Sequence, residues 1–190
     1  MDGTADKTEP LKAWKKRLEE EAETLGICQY GFVPVSEVSF SPQVRELCRM
    51  NYCGRYAKCW MCPPAVGSYE DCVNRARQYT TVFVYTTVHP VEDAYDLKGM
   101  QSGRETHARI SRKITKRFCE TVPGPRLILT GDGCPNCREC TYPDRPCRFP
   151  GRSFPSVESC GIEVNRLAAS AGIRYINGAN TVTYFSCIFF

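Results

Sequence analysis

The sequence predicts an α/β or α+β sandwich, in which helices pack on a single mixed sheet and cysteine-rich loops lie at the sheet edge. Two patterns lead to that class: β-type and helix-type segments alternate along 190 residues, and the cysteines cluster in the segments between them. With 42% hydrophobic and 24% charged residues the chain has the composition of one ordinary globular domain, so residues 1–190 are read as a single cysteine-rich domain. An amphipathic helix within residues 1–26 opens it. Thr8 suits its cap, Pro10 its first turn and Gly26 its stop, while Leu11, Trp14, Leu18, Ala22 and Leu25 form one apolar stripe.

A strand over 30–38 and a short helix over 42–50 follow, the latter carrying Cys48 into the first cysteine region. Pro63 and Pro64 exclude a helix in the middle of that region. A helix is expected over 69–79, then a β run over 80–88, a polar connection over 90–103, and a basic helix over 103–121 with Ile110, Ile114 and Phe118 on one face. Residues 126–130 form the next strand and run into the second cysteine region. A helix over 156–171 with an imperfect capping-box spacing and two closing strands, 173–177 and 182–190, complete the expectation, the last two joined as a hairpin through Asn177-Gly178.

Thirteen cysteines need a chemical explanation. The polar start lacks the order of a secretory signal and no apolar run reaches the roughly 20 residues of a membrane span, so a cytoplasmic protein is expected. Thiols stay reduced there, which favours metal ligation over disulfides. The formal charge of +4 counts every cysteine as neutral. A 4Fe-4S cube on four thiolates carries about −2, so basic residues such as Arg49, Arg55, Lys58, Arg138 and Arg145 read as counter-charge, and nucleic acid is not an expected partner.

The second cysteine region reads Cys134-Pro-Asn-Cys137-Arg-Glu-Cys140, with Cys147 six residues beyond. Three thiolates on one curl with a fourth further on suit the corners of a 4Fe-4S cube. Zinc more often takes cysteines in separated pairs, and Cys59/Cys62 with Cys134/Cys137 would satisfy that pattern. A structural zinc module that mediates protein interaction is therefore the alternative. The first region offers Cys48, Cys53, Cys59, Cys62 and Cys72, five cysteines for at most four corners.

These residues resemble the DUF2284 family of predicted metal-binding proteins of prokaryotes. The resemblance is carried by Cys48, Asn51 and Cys53-Gly54, by Trp60-Met-Cys62-Pro-Pro64 with Cys72, and by Gly133-Cys134, Cys137 and Cys140-Thr-Tyr-Pro-Asp144. Cys147-Arg148-Phe-Pro150, Ser156, Glu158, Gly161-Ile162 and the ending from Asn177-Gly178 to Phe185 complete it, over about residues 25–190. It implies metal binding through Cys48, Cys53, Cys62 and Cys72 at one site and Cys134, Cys137, Cys140 and Cys147 at the other. An exchange of the kind the last cysteine of two-cluster ferredoxins makes would put Cys147 on the first cluster. Cys59 is then a neighbour, and Cys28, Cys119, Cys160 and Cys187 are buried thiols. No reaction comes with the resemblance. The expected activity is electron transfer or reductive chemistry with a redox partner protein.

Around the ligands, Tyr52, Tyr56, Trp60 and Tyr142 suit rings that shield a cluster from water. Arg148, with Arg152 and with Ser156 at a helix start, is the candidate for an anionic substrate or cofactor. His89 and His107 are the two histidines and are expected to be structural or solvated.

Overall fold

The computed structural model describes residues 8–190; the first seven residues of the expected N-terminal segment lie outside the described residues. The fold is α+β. Five α-helices, α1 (Thr8–Leu25), α2 (Pro42–Arg49), α3 (Tyr69–Ala76), α4 (Leu97–Thr121) and α5 (Val164–Ser170), accompany four strands, β1 (Gln29–Pro34), β2 (Thr81–Pro90), β3 (Leu127–Leu129) and β4 (Thr181–Phe189). The strands form one sheet in the order β1-β2-β4-β3, antiparallel at every pairing where a mixed sheet was expected.

Alternation along β2 divides the core. Phe83 and Tyr85 face α1 and α4, where they meet Trp14, Leu18, Ile114 and Phe118. Val82 and Val84 face the other way, toward Val157, Ile162, Leu167 and Ala168. The first face is an aromatic stack: the rings of Phe83 and Phe118 lie 5.9 Å apart and nearly parallel, and Trp14 stands edge-on to Phe83 at 5.5 Å.

Local chemistry sets the boundaries. Helix α3 begins at a full capping box between Ser68 and Asp71. Helix α4 starts at Leu97, inside the expected polar connection, because the Asp96 side chain accepts from Gly99 N at 2.8 Å. Strand β1 stops at Pro34 and passes into a 3-10 turn over Val35–Glu37.

Two expected elements are replaced. The helix over 156–171 is instead a 3-10 turn at Glu158–Cys160 and the separate α5, because Gly161 sits in the left-handed region at φ +75° and ends the turn. A side chain there is excluded too, since a Cβ would lie 2.7 Å from the Tyr69 ring. The strand over 173–177 is absent, and with it the hairpin. Strand β4 already pairs with β2 on one side and β3 on the other, and the 173–177 backbone is held by side chains: Arg174 N donates to Gln29 Oε1 at 3.0 Å.

His107 on α4 is buried between Thr87 Oγ1 and Ser186 Oγ, each 2.8 Å from one ring nitrogen. Burial, with His89 nearby, lowers its pKa to about 3. Below the ordinary value of 6.5 the unfolded chain takes a proton that the folded His107 refuses until about pH 3, so stability falls as pH drops through that window. The expected slope is at most about 1.4 kcal/mol per pH unit, or a melting temperature lower by about 3–5 °C per unit for a chain of this size. Calorimetry of wild type against His107→Gln checks it: the variant's profile should be flatter, and equal slopes would contradict the assignment.

Candidate metal centre

The two cysteine regions fold against each other. Asn51, Gly54 and Ala57 take positive φ and curl the first loop, which Ala57 N closes by donating to Pro63 O at 2.8 Å. From this loop Arg55 Nη1 donates to Cys134 O and Trp60 Nε1 to Arg145 O, both at 2.9 Å. The Trp60 ring stands edge-on to Tyr142 at 4.9 Å, so aromatic residues of both loops cover the junction. Entry to the second loop needs glycine at 131, where a Cβ would lie 2.2 Å from Phe185 O.

Five thiols line one narrow cleft at this junction: Cys134, Cys137, Cys140 and Cys147 from the second loop, and Cys59 from the first. Ser153 Oγ lies 3.5 Å from both Cys134 Sγ and Cys147 Sγ, and Phe149 N donates to Cys147 Sγ at 3.4 Å. Cys134 donates to Cys59, which in turn donates to Cys62. The donation from Cys134 lowers the Cys59 pKa, but donation to Cys62 together with burial outweighs it and raises Cys59 to about 11. Cys134 is raised as well, first by its bond to Cys59 and then by burial. Arg148 borders the same cleft and donates to Glu139 O at 3.0 Å.

Cys48, Cys53 and Cys62 border a second, larger cavity of about 420 Å³. Cys48 is raised by burial, against the pull of Arg45. Ser156 also lines this cavity, and its hydroxyl accepts from Ser159 N at 3.0 Å. Arg148 and Ser156 thus stand at different cavities, and the turn after Ser156 is too short to act as a helix N-terminus.

Cys72 is not among the residues lining either cavity. It is buried on α3 and accepts from Cys160, with Arg75 Nη2 at 3.3 Å and Arg45 Nη1 at 3.7 Å. The Cys160 donation first, then Arg75, bring its pKa down to about 6, while Cys160 is driven up by the same bond. Cys187 is fully buried and raised by that burial. Cys28 and Cys119 are exposed, where buried thiols were expected.

Among the described residues, no three His, Cys, Asp or Glu side chains are set as a site for a single metal ion. The donor chemistry of the cleft nevertheless suits a thiolate-bound metal: five thiols with backbone amide and hydroxyl groups beside them, and neither carboxylate nor imidazole in the lining. The iron-sulfur ligand set left Cys59 out of the second site, while the zinc alternative joined Cys59/Cys62 to Cys134/Cys137. The only signal for Cys59 was the Cys59/Cys62 spacing, because its approach to Cys134 is made by the fold.

A family model described as predicted metal-binding protein (DUF2284) matches residues 31–190. No curated protein and no solved structure matches the chain. No helix among the described residues is long and apolar enough to cross a membrane.

Proposed function

The chain belongs to the DUF2284 family of predicted metal-binding proteins, and from that premise we propose an iron-sulfur protein that passes single electrons to a partner enzyme. The observation that carries this reading is the lining of one cleft by Cys134, Cys137, Cys140 and Cys147. These four would hold a 4Fe-4S cluster, which when bound supplies a one-electron redox centre. The Phe149 amide and Ser153 hydroxyl hold the thiols from outside, and Trp60 with Tyr142 keeps water from the junction. Cys48, Cys53 and Cys62 would supply three thiolates toward a second cluster, for which Cys72, turned to Cys160, is the remaining ligand of the set. A reducing, cytoplasmic setting suits thirteen cysteines that all stand as free thiols.

A structural zinc site is the second reading, favoured by the chain of contacts from Cys134 through Cys59 to Cys62, which joins the two separated pairs. Electron paramagnetic resonance of anaerobic protein before and after dithionite tests the redox reading. A reduced-state signal with loss of visible absorption is expected, and protein that is colourless and silent in both states would overturn it.

A further inference from the structure

We propose that the cavity between α4 and the turn into the second cysteine loop binds a phosphate dianion, free or as a monoester, through Arg104, Arg112 and Arg152. This goes beyond the metal reading and does not rest on it. Among the described residues no cysteine lines this cavity, and the arginines that approach a cysteine sulfur are Arg45 and Arg75, at Cys72. The sequence pattern grouped Arg152 with Arg148, but the fold sets Arg152 here instead, with residues of α4.

Helix register and charge select the ligand class. Arg104, Ala108 and Arg112 follow one another by four on one face of α4, and the small Ala108 leaves a gap that the two longer side chains border. Arg152 lines the same gap from the 3-10 turn Pro150–Arg152, where Asn136 Nδ2 donates to Arg152 O at 2.7 Å and fixes its backbone. Asp132 is the one carboxylate of the lining among the described residues, and it is paired with Arg104 Nη1 at 3.2 Å. Arg112 and Arg152 are in no ion pair among the described residues. Three guanidiniums against one carboxylate leave two positive charges uncompensated. A dianion neutralises both, whereas a monocarboxylate leaves one.

A buried donor independently asks for an acceptor. Arg104 Nε is buried and has no hydrogen-bond partner among the described residues, although Nη1 of the same guanidinium is held by Asp132. A buried N–H left in that state is costly, and an oxyanion in the cavity that Arg104 lines supplies what it lacks. Size agrees with charge. The enclosed volume of about 30 Å³ has room for one oxyanion group and not for a whole organic molecule, since about 10–15 Å³ admits one water. A monoester would therefore enter by its phosphate and keep its substituent outside. Arginine suits this ligand, because its planar fork meets phosphate oxygens in pairs.

Calorimetric titration of protein purified without oxygen, in phosphate-free buffer at about pH 8 where phosphate is chiefly the dianion, tests the proposal. The probes are inorganic phosphate, phenyl phosphate and acetate. Phosphate is expected to saturate a single site per chain and to bind about tenfold or more tightly than acetate. Arg112→Gln and Arg152→Gln, both at exposed residues, should each weaken phosphate about tenfold with the fold kept by circular dichroism. Arg109→Gln, exposed on the same helix but not in the lining, should leave it unchanged. Phenyl phosphate competing for the site supports the monoester as its ligand, and binding of inorganic phosphate alone supports the free ion. Acetate equal to phosphate, an equal loss in Arg109→Gln, or no saturable binding of either phosphate would overturn the proposal. Phosphate held by a metal instead would ignore both cavity variants, and that result overturns it as well.

Discussion

Cys147→Ser should remove about four irons per chain, together with as much acid-labile sulfide, while Cys59→Ser should leave both in place. The contrast follows from the cleft, where Cys59 and Cys147 are both present but belong to different ligand sets. On the iron-sulfur reading Cys147 closes the fourth corner and Cys59 is a fifth thiol bonded to Cys134. On the zinc reading the roles exchange: Cys59 ligates with Cys62, Cys134 and Cys137, and Cys147 is dispensable. Metal analysis of the two variants against wild type therefore separates the readings by the order of their effects. Serine keeps nearly the volume of cysteine, so a fold-wide collapse does not explain a selective loss, and circular dichroism of both variants checks that point.

Phe83→Ala should destabilise the fold by about 3–5 kcal/mol without changing metal content in the cold. The ring is fully buried, with Trp14, Phe32, Tyr85 and Phe118 at centroid distances of 5.2–5.9 Å. Its removal opens a void between sheet and helices that rigid aromatic neighbours fill poorly. For a chain of this length the melting temperature should fall by about 6–20 °C. Phe83 packs on the α1/α4 face, whereas Cys72 and Cys160 belong to the opposite core. A thermal melt with parallel metal analysis checks both halves, and metal loss from folded Phe83→Ala protein would show that the two faces are coupled.

How far the residues alone carry the fold can be judged element by element. Helix α1 was legible because its stripe from Leu11 to Leu25 and its stop at Gly26 agree with each other. Strand β2 was legible from its β-branched and aromatic run. The helix expected from Ser156 failed at one residue: the apolar spacing runs on through Gly161, but its backbone turns left-handed there. The strand expected over 173–177 failed for a non-local reason, since its place beside β4 is taken by β2 and β3.

The same division holds at the candidate centre. The spacing of Cys134, Cys137 and Cys140 is local, and the fold brings these three to one cleft with Cys147. The meeting of Cys59 with Cys134, and of Trp60 with Arg145 across 85 positions, depends on loop packing that no local pattern encodes.

The most direct measurement is the iron, zinc and acid-labile sulfide content of protein purified without oxygen. The account predicts iron and sulfide in equal amounts, about four of each per chain for one cluster and about eight for two. Zinc without sulfide, retained in air, would contradict it and leave a structural metal domain.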